Sequence, residues 1–358
     1  MPPRNWIFSR WRFEVEYQAA HVTFQKSHRT KRVGLTVLVT GGAGFIGSHT
    51  AKALAEAGHR PVVFDNLSSG SRGAVRWGDL VEADVRDTEA LRLAMDRHKI
   101  EGVIHFAGLI EVGRSVQRPD LFYDQNVGGT GALLAAMKDR EVPRLVFSSS
   151  AAVYGTQTTG AATLVETAPK APSSPYGETK LIGEWMIAAH ARAFGLSAIA
   201  LRYFNAGGAD ASGTLGEAHQ PETHLIPLAI EANFAQAPAL KIFGDDFETP
   251  DGSCLRDYIH VSDLARAHVS ALETPMGWGE FQALNVGTGQ GHSVFEVVAA
   301  IDRACGRPTP RETVGRRPGD PASLVADAGR VRECLNWEPA DSSLDNIVET
   351  ALTWHRSR

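Results

Sequence analysis

Cysteine is scarce in this chain. Its 358 residues hold three, Cys254, Cys305 and Cys334, far apart and in no C-x-x-C pair. An odd, scattered set excludes a disulfide scaffold and a cysteine zinc site, and it fits a reducing compartment such as the cytoplasm. Long apolar runs are also missing. None approaches the roughly 20 residues that a membrane-spanning helix needs. There is no excess of positive charge, since 36 Lys and Arg face 41 Asp and Glu for a net charge of −5. That balance gives no global footprint for nucleic acid or an anionic membrane, so any anionic ligand must be met by a few placed arginines. The histidines form no H-x-x-x-H and no His/Cys cluster, so their spacing indicates no metal. Repeats and low-complexity tracts are absent too.

Residues 1–34 stand apart. They are basic and aromatic-rich, without helical or strand periodicity and without the continuous apolar core of a signal peptide. A disordered or spurious N-terminal extension is expected there. From Leu35 onward, short apolar runs alternate with amphipathic stretches. TVLVT (36–40), PVVFD (61–65), VIHFA (103–107), RLVFSSS (144–150) and SAIALRYF (197–204) read as strands buried on both faces, with helices such as 49–59 and 130–142 between them. Strand–helix alternation at this spacing predicts an α/β fold of Rossmann type, a doubly wound parallel sheet with right-handed crossovers. After about Asn205 glycine, proline and turn signals increase. The expected division is therefore a dinucleotide-binding domain over 35–205 and a smaller α/β substrate-binding region over 206–358, with 259–289 packing back onto the first sheet.

The loop after the first strand, LVTGGAGFIG, spaces Gly41, Gly44 and Gly47 three apart at the opening of a helix. Glycines there allow a tight turn and close approach of a pyrophosphate, and Phe45 and Ile46 open the helix whose first free N–H groups meet the anion. Asp65 ends the second strand 18 residues after Gly47. A carboxylate at that place accepts from a ribose 2′-hydroxyl and repels a 2′-phosphate, which favours NAD over NADP. Asp84, read as the end of the third strand, is placed to face the adenine.

The segment SSPYGETK sets Tyr176 four residues before Lys180, on one face if it is helical. FSSSAAVYG ends the fifth strand with Ser148, Ser149 and Ser150 at the carboxyl edge of the sheet, where open α/β folds bind ligands. A phenol titrates near pH 10 in water, and lowering that by about three units takes about 4 kcal/mol of differential stabilisation. A neighbouring ammonium and a nicotinamide cation would each favour the phenolate. Tyr176 is therefore the expected general base, Ser150 its hydrogen-bonding partner on the reacting hydroxyl, and Lys180 the electrostatic tuner.

TGGAGFIG, HFAG, FSSSAAVYG, SPYGETK, LRYFNAGGA, RDYIHVSDLA and RRPGDPASLVAD, in that order, resemble the extended short-chain dehydrogenase/reductases, and within them the 4-epimerases of UDP-hexoses. The likeness covers roughly residues 35 to 355. It implies resident NAD held by Asp65, Asn66, Asp84, Val85, Phe106, Asn126, Tyr176, Lys180 and Phe204. It implies a UDP-sugar site lined by Asn205, His224, Leu225, Phe243, Arg256, Arg317 and Asp320, with a homodimer as the assembly. The implied reaction is transient oxidation of the sugar at C4, turnover of the keto sugar and reduction on its other face, converting UDP-glucose to and from UDP-galactose in galactose metabolism or polysaccharide precursor supply. Three positions depart from the bacterial pattern. Ile110 stands where a lysine often contacts the cofactor, His224 replaces an asparagine on the sugar wall, and Ser323 stands where a tyrosine can close the pocket. The open position at Ser323 makes an N-acetylhexosamine an expected second substrate. UDP-uronate and UDP-pentose epimerases remain open. A 4,6-dehydratase needs an acid–base pair just after Ser150, where this chain has Ala151 and Ala152, and a non-catalytic NAD sensor would not need Ser150, Tyr176 and Lys180 together.

Overall fold

The first strand, β1 (Thr36–Thr40), carries Val37, Leu38 and Val39 with no exposed surface on either face, the burial expected of a central parallel strand. The computed structural model describes residues 34–156, 163–219, 221–317 and 320–358, so the expected extension lies outside the described residues except for Gly34. From β1 the chain continues through α1 (Phe45–Glu56), β2 (Arg60–Asp65), β3 (Asp79–Glu82), α2 (Thr88–His98) and β4 (Gly102–His105). It then forms α3 (Val112–Gln117), α4 (Pro119–Phe122), a π-helical segment (Tyr123–Gly128), α5 (Gly129–Asp139), β5 (Arg144–Ser150), α6 (Pro175–Phe194) and β6 (Ser197–Tyr203).

Beyond β6 come β7 (Asn205–Gly207), α7 (Leu225–Asn233), β8 (Leu240–Phe243), β9 (Leu255–His260), α8 (Val261–Glu273) and β10 (Phe281–Val286). The chain closes with β11 (Gly291–Ser293), α9 (Val294–Cys305), β12 (Arg311–Val314), β13 (Ser323–Leu324), α10 (Gly329–Leu335) and α11 (Leu344–Arg356).

Seven strands form one sheet in the order β10-β6-β5-β4-β1-β2-β3, and every pairing in it is parallel. The order reverses between β1 and β4. In a doubly wound sheet that reversal opens a crevice outside the carboxyl ends of the strands, and ligands bind there. Two apolar layers cover the sheet. One packs Leu133, Leu134, Met137 and Ile187 on one face, and the other packs Leu264, Leu272 and Trp337 among its neighbours. Fully burying one such leucine or isoleucine contributes about 1.5–3 kcal/mol. The remaining strands form two small sheets, β11-β9-β13 with β7 also on β9, and β12 with β8.

Several boundaries differ from the sequence reading: β4 ends at His105 rather than at 107, and α5 at Asp139 rather than at 142. Asp84 lies two residues past the end of β3 rather than on it. The helix expected to begin near 49 begins at Phe45, because its N-cap is Gly44 and no side chain marks the start. By contrast, α6 announces itself. Ser174 accepts from Gly177 N as the N-cap, Pro175 occupies the first turn, and Gly195 ends the helix in the left-handed region at φ 77°.

Candidate active site

At the crevice, β1 runs into the glycine loop. Gly41 has φ 72°, and a Cβ on it would lie 2.6 Å from Ala107 N, while a Cβ on Gly47 would lie 2.2 Å from Gly41 O. The loop is thus folded tightly on itself and onto the chain after β4. On Gly44 a Cβ would meet only Gly41 O at 3.3 Å, and no side chain caps α1. The first N–H groups of α1, including those of Phe45 and Ile46, have no capping side chain, which suits a pyrophosphate.

Asp65 is buried at the end of β2. It accepts from Ala43 N at 3.0 Å and from Leu67 N at 2.8 Å, so it braces both the loop and the following turn. Burial pushes its carboxyl up, with those two amides pulling the other way. An ionised carboxylate offers about four acceptor positions, so two remain for a ribose diol. Asn66 donates to Asp84 at 3.1 Å. The Arg86 guanidinium beside Asp84 holds that carboxyl at about 2. Val85 is buried against Gly129.

Tyr176, Lys180 and Glu184 recur at every fourth residue along one face of α6, and all three are buried. Each meets one of the three serines that end β5. Ser150 lies beside the Tyr176 phenol, Lys180 Nζ donates to Ser148 O at 2.8 Å, and Ser149 donates to Glu184 at 2.6 Å. The ammonium lies 5.1 Å from the Phe147 ring centre and 5.9 Å from that of Tyr176. Burial pushes the Tyr176 phenol well up, reinforced by Tyr203 and opposed by Ser150. The sequence reading expected the phenol to fall; the protein groups alone move it the other way, because burial strips water from a phenolate while the Lys180 ammonium is engaged with the Ser148 carbonyl. Burial also lowers Lys180 to about 8, with Glu184 opposing. His105, at the end of β4, is kept neutral by burial and sits between Thr40 and Thr130 hydroxyls at 2.7 and 3.1 Å.

Of the other residues expected at the cofactor, Phe106 packs on His268 with ring centres 4.7 Å apart, and Phe204 is buried beside Ala151, Tyr154 and Leu181. Asn126 lies in the π-helical segment, an irregularity common at functional sites. Its amide accepts from Leu109 N at 2.7 Å and donates to Leu109 O and Thr179 Oγ1 at 3.1 and 3.0 Å. The side chain therefore staples the turn after β4 to α6.

The sugar-site residues form a second group. Arg256 donates to Asp320 Oδ1 at 3.1 Å and to the Leu255 and Pro321 carbonyls at 2.8 and 3.0 Å. The Arg317 guanidinium sits 3.9 Å over the Phe243 ring. Ser323 pairs with Leu255 through β13 and is exposed. Asn205 begins β7 opposite Tyr258. His224 caps the start of α7 ahead of Leu225, and its ring is turned to Glu217 and Glu222.

Glu184 was missed by the sequence reading. It pairs with Arg202 at 2.6 Å, and Arg202 donates to Tyr154 OH at 2.9 Å and Glu166 O at 3.3 Å. Tyr154 donates in turn to Asn285 at 2.6 Å, and Glu166 accepts from Asn285 N at 2.9 Å. The available signal was the four-residue interval that already linked Tyr176 to Lys180.

Glycine loop, acidic strand end and Tyr/Lys helix on this sheet define a class: the chain belongs to the NAD dependent epimerase/dehydratase family, whose model matches residues 37–287. Within that class it is 49% identical to a UDP-glucose 4-epimerase of Rhizobium leguminosarum bv. trifolii, over 90% of this chain and 98% of that one. The crystal structure of UDP-glucose 4-epimerase from Brucella ovis in complex with NAD matches with a TM-score of 0.85 and 49% identity, covering 89% of this chain and 98% of that chain. A Stenotrophomonas maltophila UDP-glucose 4-epimerase with bound NAD and formylated UDP-arabinopyranose matches with a TM-score of 0.86 and 40% identity, covering 90% of this chain and 98% of that chain.

Proposed function

We propose that the protein is an NAD-dependent 4-epimerase of UDP-hexoses, interconverting UDP-glucose and UDP-galactose through a 4-keto sugar. The observation that carries this is the register of α6 against β5, which brings Tyr176 beside Ser150 and a buried lysine at the carboxyl edge of the sheet. Gly41, Gly44, Phe45, Ile46 and Gly47 would cradle the cofactor pyrophosphate. Asp65, Asn66, Asp84 and Val85 would meet its adenosine end, and Phe106, Asn126, Tyr176, Lys180 and Phe204 its nicotinamide half. Bound NAD supplies a reversible hydride acceptor.

Tyr176 takes the proton of the sugar 4-hydroxyl while Ser150 hydrogen-bonds the same oxygen, and Tyr176 returns the proton once the keto sugar has presented its other face. Lys180 favours the phenolate. Arg256 and Arg317 suit the diphosphate as permanent forked donors, and Asp320 suits a ribose diol. Asn205, His224, Leu225, Phe243 and Ser323 complete the wall. UDP then supplies the anchoring energy, while the sugar is held loosely enough to turn. Ala151 and Ala152 offer neither acid nor base, which leaves dehydration without catalysts.

The purified protein is expected to release bound NAD on denaturation and to convert UDP-galactose to UDP-glucose without added cofactor. Protein that carries NAD yet shows no conversion overturns the reading. The exposed serine at 323 supports a second substrate, UDP-N-acetylgalactosamine. Ser323→Tyr is expected to suppress its turnover at least about tenfold while sparing UDP-galactose, and equal loss on both sugars removes the argument.

Residues 35–205 would form the NAD half and 206–358 the nucleotide-sugar half, with 259–289 returning to the first. A homodimer is supported by exposed Val112, Val116, Tyr123 and Trp185 on the neighbouring α3, π segment and α6. Light scattering on the purified protein tests it. Among the described residues no helix is long and apolar enough to cross a membrane. The cytoplasm fits the three free cysteines.

A further inference from the structure

The stretch GEAHQPETH contains the pattern Glu-x-His twice, as Glu217/His219 and Glu222/His224. The fold brings the two pairs to one point, each residue placing one nitrogen or carboxylate oxygen within 4.8 Å of the others. His224 Nδ1 lies 2.7 Å from Glu217 Oε1 and 3.2 Å from Glu222 Oε1. His219 Nδ1 lies 3.1 Å from Glu217 Oε1. In a tetrahedral zinc site with bonds of about 2.0–2.1 Å, neighbouring donors stand roughly 3.3–3.4 Å apart. These three spacings fall short of that by up to about 0.7 Å, and the remaining donor pairs lie within 4.8 Å.

Charge points the same way. Two carboxylates at one point call for two positive charges. Two protonated imidazoles supply them only by crowding two cations; one divalent ion supplies both at the centre and leaves the rings neutral. The outer shell is in place as well. Thr223 N and His224 N donate to Glu222 at 2.7 and 2.8 Å, and Trp354 Nε1 donates to the Glu217 main-chain carbonyl at 2.9 Å, anchoring its backbone. A cavity of about 180 Å³ opens beside the cluster, lined by Glu217, His219, Glu222 and Glu231 together with His355 and Arg358.

We propose that Glu217, His219, Glu222 and His224 form a tetrahedral site for a divalent transition ion of the zinc type, which fastens the stretch between β7 and α7. Mixed imidazole and carboxylate donors suit zinc, cobalt or nickel better than magnesium or calcium. Because the ion takes the place of a proton on His224 Nδ1, binding releases protons and tightens as pH rises.

The site does not include Tyr176 or Lys180 but shares His224 with the proposed sugar wall, so its test reads ion binding rather than turnover. NAD-loaded protein, freed of metal by a chelator, is titrated with Zn²⁺ by calorimetry in two buffers of different protonation enthalpy, and with Co²⁺ by visible absorption. One ion per chain, proton release, an intense tetrahedral cobalt spectrum and a raised unfolding temperature are expected. His219→Gln and Glu222→Gln are each expected to weaken binding at least about 100-fold, since loss of even an outer-shell partner costs 10–100-fold. Both variants are checked for unchanged NAD content and circular dichroism. No stoichiometric binding by the wild type overturns the proposal, as does binding undiminished in both variants, which would assign the ion to other histidines or to the free cysteines.

Discussion

Tyr176 is asked to ionise in a place that opposes ionisation. Burial holds it as the phenol, so positive charge must gather beside it before it can take a proton. Tyr176→Phe keeps the ring and removes the acid–base group. Turnover is expected to fall about 10²–10⁴-fold with NAD content and unfolding temperature unchanged. Single-turnover kinetics measure this, and activity within tenfold of wild type moves the base elsewhere. Lys180 gives the reaction a pH signature. Burial lowers it to about 8, so its ammonium is charged below that pH and lost above it. The alkaline limb of kcat/KM is therefore expected near pH 8, far below the ordinary lysine range. Lys180→Arg, permanently charged, should move that limb upward while lowering kcat; a limb that stays in place in the variant belongs to another group. These roles were legible in the sequence because they are local. Tyr176 and Lys180 are one helical turn apart, Ser150 ends a continuous apolar strand, and Gly41, Gly44 and Gly47 occupy one loop. The direction in which Tyr176 is pushed was not legible, since it depends on how completely distant strands bury it.

Helix α6 works as a ruler laid along the end of β5. The same face that aims Tyr176 and Lys180 carries Glu184, whose partners Ser149 and Arg202 lie 35 and 18 residues away in the chain. Only the register of α6 against β5 and β6 unites them, which is why the sequence hid the link. Replacing one member of a buried ion pair leaves the other charge without a partner, at a cost of about 3–5 kcal/mol. Glu184→Gln keeps the shape and leaves Arg202 in that position, so a loss of this size is expected in chemical denaturation. Ser149→Ala removes a single hydrogen bond to the same carboxylate and should cost nearer to 1 kcal/mol. If the two variants prove equal, the ion pair is not the larger contributor. The π segment was equally hidden. Asn126 was expected at the cofactor by resemblance, yet its tie from Leu109 to Thr179 across that irregular turn was not legible. The His/Glu cluster was obscured by a search for four-residue histidine spacing, whereas its unit is Glu-x-His repeated across a bend.

The whole molecule is not two beads on a string. Strand β10 completes the large sheet beside β6, although about 75 residues of chain, including β7, β8 and β9, intervene. Its edge pairing runs from Phe281 opposite Ala198 to Val286 opposite Tyr203. A fragment ending at 205 would expose β6 as a flat apolar edge and uncover the sheet face that α8 packs on. Such a fragment is expected to aggregate, whereas residues 34–358 should elute as a discrete species on gel filtration; a soluble, cooperatively folding fragment would show the halves to be independent. The sequence predicted the large sheet well because parallel strands write their burial into continuous apolar runs. It was less informative after Asn205, where strands of two to four residues such as β7, β8 and β13 are too short for any period to emerge. Among the described residues the chain passes between the large sheet with its helices and the small sheets at β6 to β7, β9 to α8, β10 to β11, β13 to α10 and α10 to α11. Repeated covalent straps across one cleft resist its opening like a book, because swinging the halves apart would stretch all of them together. Traffic must use gaps between loops instead. A dinucleotide held in that crevice should then outstay many sugars, and prolonged dialysis of the working enzyme should leave its NAD in place.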